Sequence, residues 1–385
     1  MKQGWEIKKL NQISENLDNR RVPITKSVRS NGTIPYYGAS GIVDYVEEYI
    51  FDEDLLLVSE DGANLLARTY PIAFSISGKT WVNNHAHVLK FNTLTTQKFV
   101  EIYLNSIKLD DFVSGMAQPK LNQGMLNQIP IPLPPLPEQQ RIVSILDEAF
   151  AAIAKAKANA EQNLRNAKEL FESYLLKVLS DKKWETKTIG NVCTKVEYGS
   201  ATKSKNTGKI AVLRMGNIQN SRFDWEKLVY SDDEKDNKQY LLKYNDVLFN
   251  RTNSPELVGK TAIYKSEMPA IFAGYLIRIH RKEDLIDADF LNYYLNSEIA
   301  LEYGKTVVIS SVNQANINGT KLKGYPIPCP PLIDQQTIVQ KLDVLSAETK
   351  KLEAIYQQKI DGLEEMKKSI LQKAFSGGLH YDSGE

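Results

Sequence analysis

The 385 residues, 42% hydrophobic and 25% charged, describe ordinary globular material of about two to three domains and exclude collagen-like, disordered and disulfide-scaffold classes. Forty-eight Lys and Arg against 47 Asp and Glu leave a net charge of +1, so any polyanion partner must be read from local patches. No apolar run approaches the roughly 20 residues of a membrane span, and the opening MKQGWEIKKL lacks the apolar stretch of a signal peptide, so a cytoplasmic chain with no membrane partner is expected.

In chain order, GWEIKKL at 4–10 comes first and returns as KWETKTI at 183–189. Residues 18–35 follow with Arg20, Arg21, Lys26 and Arg29 against one acid, Asp18, interleaved with Asn19, Asn31 and Gly32. From Asp44 to Asp61 the chain carries eight carboxylates and no Lys or Arg, which reads as a solvated hairpin face before it reads as a magnesium nuclease. YIFDEDLLLVS (49–59) and HAHVLKF (85–91) are rich in β-branched and aromatic residues and predict strands, and KFVEIYLNS at the end of this segment predicts a helix. SGKT at 77–80 lacks the glycine that a phosphate loop needs, because Ala73 stands in its place. His85 and His87 could share a strand face, but no third ligand sits at metal spacing. Cys193 and Cys329 have no CxxC partners, which argues against disulfides and a cysteine zinc site, and no nucleophile elbow is visible. The chain reads as non-catalytic.

IPIPLPPLPEQQRIVSILD at 129–147 recurs as YPIPCPPLIDQQTIVQKLD at 325–343, 196 residues on, and this offset holds without a gap from Gln118 and Gln314 to the end of the following segment. The alternating prolines predict an extended hinge, with a helix beginning at Glu138 and again at Asp334. Leu342, Thr349, Tyr356, Leu363 and Ile370 repeat every seven residues, with Leu345, Leu352 and Met366 on a companion seam three residues later. The first helix matches this register with smaller residues: Leu146, Ile153, Ala160, Ala167 and Tyr174, joined by Ala149, Ala156 and Leu170. Two helices of some 42 residues, each a rod of roughly 60 Å, are expected to pack on each other.

Between the helices, KIAVLRM (209–215), YNDVLFN (244–250) and AIFAGYLIRIH (270–280) predict strands and DFLNYYLNS a helix. Residues 195–222 carry Lys195, Lys203, Lys205, Lys209, Arg214 and Arg222 against one acid, Glu197, among amides and glycines. Such a mixture suits nucleic acid, with cations on phosphate and Arg, Asn and Gln on base edges, although a solvated face has the same composition.

The duplicated hinges and helix starts, with WEIKKL, WETKTI, VNNHAHVL (82–89), AVLRMGNIQ (211–219), VLFNRTNS (247–254) and SSVNQANIN (310–318), resemble the specificity subunit of Type I restriction-modification systems over essentially the whole length. The resemblance implies an α+β fold with an internal pseudo-twofold repeat. Target recognition domains at 1–137 and 181–333 would alternate with conserved helices at 138–180 and 334–376, packed as an antiparallel coiled coil, before a tail at 377–385. It implies that each domain reads one half of a split double-stranded DNA site while the helices set the spacer and recruit two methyltransferase (modification) subunits, with restriction subunits completing the complex. S-adenosylmethionine, ATP and Mg would then belong to the partners, and this chain would hold no cofactor. It places DNA contacts at Arg214, Asn217, Gln219, Arg251, Asn253, Asn313, Gln314 and Asn316 in the second domain, and Lys203 of the basic patch joins them as a candidate. In the first, the choices are Arg20, Arg21, Lys26, Lys79, Asn83, Asn84, Gln118, Lys120 and Asn122. The specificity subunit of another restriction class and a coiled-coil scaffold that binds protein are the remaining readings.

Overall fold

A computed structural model of the chain describes residues 4–115, 117–311 and 314–379. The chain divides into two compact units, residues 1–160 with 358–385, and residues 161–357. Each unit contains one mixed α/β domain and facing portions of two long helices, Leu136–Leu179 and Leu332–Ser376. No helix among the described residues is long and apolar enough to cross a membrane.

In the first unit a four-stranded antiparallel sheet runs in the order Ser14–Asn16, Ala86–Phe91, Leu55–Ser59, Ala73–Ile76. A second sheet has the order Gly41–Val46, Ile34–Gly38, Lys79–Val82, Phe51–Asp52, and its central pair is parallel. The strand Leu55–Ser59 is apolar without alternation because both of its faces are covered. Leu56 and Val58 pack with Phe99 and Val100 of the helix Leu94–Ser106, while Leu55 and Leu57 meet Leu17, Phe51 and Val82 between the sheets.

The second unit repeats this plan with different residues. Its antiparallel sheet has the order Cys193–Tyr198, Leu276–Arg281, Val247–Asn250, Thr261–Ile263. Its second sheet, Val229–Ser231, Ile210–Leu213, Ala270–Phe272, again holds a parallel pair, here between the middle strand and the edge strand Ala270–Phe272. The duplication seen in the hinges and helices therefore extends through the variable segments, where the sequence retains only scattered matches.

The two repeated motifs are partners in one ladder. Glu6–Lys9 pairs antiparallel with Pro130–Leu133, and Thr186–Thr188 pairs with Pro326–Pro328. The hinges are thus edge strands, a place where proline's missing N–H costs nothing. Both long helices start two residues before the acidic residue chosen from sequence, at Leu136 and Leu332; in the first, Pro137 fits a first turn whose N–H groups have no intrahelical acceptor.

Within each unit the helices pack antiparallel. In the first, Leu146 and Ile142 of the first helix share a core with Ala374, Ile370 and Phe375 of the second, and Lys157 bonds Glu364 at 2.5 Å. In the second, Leu175 and Leu179 share a core with Ile338, Val339 and Leu342. The every-seventh positions Leu146, Ile153, Ala160, Ala167, Leu342 and Thr349 are buried. The companion seam is narrower than the heptad pattern suggested, since Leu170, Leu352 and Met366 remain 51%, 36% and 52% exposed. A two-helix contact covers one stripe of each helix and leaves its flank outside.

Candidate nucleic-acid interface

In each unit the central strand of the antiparallel sheet runs out at the end where three loops meet. In the second, Arg251 follows the strand Val247–Asn250; its N–H donates to the Tyr275 carbonyl at 3.1 Å and its carbonyl accepts from Ile317 N–H at 2.9 Å. In the first, Glu60 holds this place, donating to His85 O at 2.9 Å and accepting from Leu121 N–H at 2.8 Å. One backbone frame therefore presents an arginine in one copy and a glutamate in the other.

Around Arg251 the loops are tied by backbone bonds. Gly274 N–H reaches Ser200 O at 2.7 Å, and Ala273 N–H reaches Leu213 O, next to Arg214, at 2.9 Å. Gly199 is required there, because a Cβ would fall 2.3 Å from the Phe272 carbonyl oxygen. The Arg251 guanidinium lies 4.9 Å from the Tyr198 ring centroid and donates from Nη1 to Gly274 O at 3.2 Å, while its buried Nε has no hydrogen-bond partner among the described residues. Thr252–Asn253 pairs with Gln314–Asn316, and Asn316 Nδ2 donates to Thr252 Oγ1 at 2.7 Å. These contacts bring Arg251, Asn253, Gln314 and Asn316 together, with Lys203 exposed just beyond Ser200. Arg214 and Gln219 are exposed, although Arg214 Nη2 donates to Lys227 O at 3.2 Å and Gln219 Nε2 to Gly216 O at 3.1 Å. Asn217 is buried and spends its amide on the loop, accepting from Arg214 N–H and donating to Asp224 O and Glu226 O. Asn313 lies outside the described residues.

The first domain's candidates divide. Asn83, Asn84 and Lys120 gather near Glu60, where Lys120 bridges Asp61 and Ser114 in the backbone and its Nζ stands 3.2 Å from Glu60. Gln118 is exposed on the loop that leads into Lys120. Asn83 is itself buried and turns its Oδ1 to His85 N–H. Lys79 sits at the opposite end of its strand, paired with Asp52 and 4.8 Å from the Tyr49 ring centroid. Lys26 is exposed on a separate short turn. Arg20 bonds Glu53 at 2.8 Å and Ile50 O at 3.1 Å. Asn122 caps the helix Gln123–Gln128 by accepting from Met125 N–H.

Arg21 is a structural cation here. It reaches Glu60 at 2.7 Å, Ala86 O at 2.8 Å and Asp18 at 3.4 Å, and little of its side chain is exposed. His87, 1% exposed, turns Nδ1 to Asp18 at 2.6 Å and Nε2 to Leu121 O at 2.7 Å. Burial pushes the Asp18 carboxyl up, but the His87 hydrogen bond and further contacts bring it below the usual aspartate range. Glu60 is likewise pushed up by burial and then held low by Arg21, His87 and Lys120. The carboxylates of the 44–61 run thus find cations from elsewhere in the chain: Asp44 meets Arg29, Glu53 meets Arg20 and Lys90, and Glu60 meets Arg21 and Lys120. Among the described residues no group of three His, Cys, Asp or Glu side chains could hold a metal ion.

Two neighbours of this place were missed as binding candidates. His85, 51% exposed and held by Asp61 at 2.8 Å, and Tyr275, also 51% exposed, occupy the same position in the two copies. Superposing the pairs Glu60 and Arg251, Leu121 and Ile317 would have matched them, but the loop offsets drift between copies and hide that register.

Two copies of one α/β recognition plan, each ending in a polar loop cluster and joined by paired long helices, define a duplicated binding protein. A family model for the Type I restriction modification DNA specificity domain matches residues 2–162 and again 181–361, and the chain belongs to that family. It is 29% identical to a candidate type I restriction enzyme specificity subunit of Haemophilus influenzae over 357 residues, 88% of this chain and 86% of that one. It is 24% identical to the EcoKI specificity subunit of Escherichia coli, over 80% and 74% of the two chains. Among solved structures, the HsdS subunit of Thermoanaerobacter tengcongensis shares the fold with a TM-score of 0.59 at 17% identity, covering 98% of each chain. A chain from a structure described as showing complex assembly and conformational transition of a type I system reaches 0.72 at 17% identity, covering 98% of this chain and 99% of that one.

Proposed function

We propose that this chain is the DNA-reading subunit of a type I restriction-modification complex, with residues 1–137 and 181–333 each contacting one half of a split double-stranded site. The observation that carries the reading is the shared backbone frame at Glu60 and Arg251, lined by unlike polar side chains in the two copies. A frame kept while its lining changes is suited to two different half-sites. Arg251, half-buried with its guanidinium beside the Tyr198 ring, is the leading candidate for reading guanine. The exposed Lys203, Arg214, Lys120 and Lys26 would neutralise phosphate.

The helices would set the separation of the half-sites and take the modification subunits. Leu170 and Met366, 196 residues apart in the repeat, are both exposed apolar side chains on the long helices, as two similar faces for two identical partners require. Methyl transfer with S-adenosylmethionine and ATP-driven cleavage with Mg would reside in those partners and in restriction subunits. The test is the host methylome with and without this gene. Loss of one split N6-methyladenine motif on deletion supports the reading; an unchanged methylome, together with no salt-dependent DNA binding by the assembled complex, favours a protein-binding scaffold.

A further inference from the structure

The glutamine at the fourth position of each long helix is a buried clamp. Gln139 is 4% exposed; its Nε2 donates to Pro134 O at 2.7 Å and its Oε1 accepts from Thr96 Oγ1 at 2.8 Å. Thr96 lies in the first turn of the helix Leu94–Ser106, its N–H held by the capping Thr93. Gln335, 196 residues later, is fully buried; its Nε2 donates to Pro330 O at 2.8 Å and Leu285 O at 2.9 Å, and its Oε1 accepts from Asp287 N–H at 2.8 Å. Asp287 caps the helix Ala288–Leu295, which holds the same place in its domain as Leu94–Ser106. In both copies one amide therefore ties three things together: the long helix that carries it, the proline strap before it, and the start of the recognition domain's own helix.

Apolar packing fixes that two surfaces touch but leaves their angle soft, whereas an amide must meet donor and acceptor along set directions. Buried and away from water, neither group of the glutamine can exchange these partners without leaving a polar atom unpaired. The consequence grows with length. A helix of 44 residues extends about 66 Å, so a tilt of about 5° at its root moves its tip by about 6 Å, close to two base-pair steps.

We propose that Gln139 and Gln335 are positioning residues that set the angle between each recognition domain and its long helix, and thereby the spacer length the protein accepts. The inference rests on the half-site reading above. The test uses the complete modification complex and a plasmid library carrying the natural half-sites with spacers from two base pairs shorter to two longer, methylation being read by sequencing. Q139A and Q335A are expected to lower the preference for the natural spacer over its neighbours by about tenfold, with the half-site sequences unchanged. T96V removes the hydroxyl that meets Gln139 while leaving both side chains seated, and is expected to move the same ratio less. Any of the three that methylates with the unaltered ratio overturns the proposal; an unaltered ratio in T96V does so even if the alanine variants fail to assemble. The unsubstituted complex run on the same library separates the two failures, because equal methylation at every spacer there overturns the half-site reading together with the clamp.

Discussion

The side chains at the loop cluster separate into those that hold the loops and those left to act. Arg21→Ala strips the buried Asp18 and Glu60 of their shared cation, and a loss of about 2–4 kcal/mol of stability is expected, read as a lower midpoint in urea unfolding. Among the described residues Arg251 makes one side-chain hydrogen bond, from Nη1 to Gly274 O, so Arg251→Ala should keep a melting temperature close to the parent's. DNA affinity of the assembled complex should fall by about 1–3 kcal/mol, or one half-site should relax; undiminished binding with unaltered specificity would remove Arg251 from the interface. Glu197 offers a pH test. Burial raises its carboxyl, but hydrogen bonds from Arg278 and His280 prevail and bring it down to about 2. A depressed carboxylate contributes its full stability above its unfolded value and loses it as pH falls from roughly 4.5 through about 2. Glu197→Gln should therefore cost on the order of 2 kcal/mol at neutral pH and flatten the acid limb of the stability curve in that window. Sequence could name Arg21, Asn122 and Asn217 as polar residues in loops, but it could not tell a cap or loop brace from a free hand. Asparagine closes turns with the same amide it offers to a base. Arg251 was chosen through the family resemblance of its FNRTNS run; its place beside Tyr198 and Gly274 was visible only in three dimensions.

Secondary elements were more legible than the residues between them. The strands around Leu55, Val88, Val247 and Ile277 and both recognition helices fall where β-branched runs and helical spacing put them, since burial on both faces writes itself into composition. The hinges were read as extended and are so; that they also pair with the opening WEIKKL and WETKTI went unseen, because partners more than 100 residues apart leave no local periodicity. In the heptads the buried seam was legible, while the exposure of Leu170 and Met366 depends on how much of each helix the other covers. Those two positions carry the partner prediction. Leu170→Glu or Met366→Glu should leave the melting temperature of the isolated chain unchanged and weaken capture of a modification subunit, measured by analytical ultracentrifugation; full-strength assembly by both would place that surface elsewhere. The small-residue seam predicts the opposite behaviour at Ala160, where Leu would overpack a buried contact and cost about 1–3 kcal/mol.

For the whole molecule, the repeat makes length an adjustable quantity. One heptad inserted in each long helix beside the Lys157–Glu364 pair preserves the seam and adds about 10 Å, the rise of three base pairs. The methylome of such a variant should show the natural half-sites with a spacer lengthened by about three, and an active variant with the natural spacing would end the ruler reading. The division into units has a further consequence, in the order of synthesis. The second unit is one unbroken stretch, 161–357, whereas the first needs residues 358–385 to complement residues 1–160. A nascent chain therefore exposes the stripe of Ile142 and Leu146 before Ala374 and Phe375, which complete that core, have left the ribosome. At about 5–20 residues per second the wait lasts roughly 11–46 s, long enough for the later-encoded unit to close first and for a chaperone to hold the earlier one open.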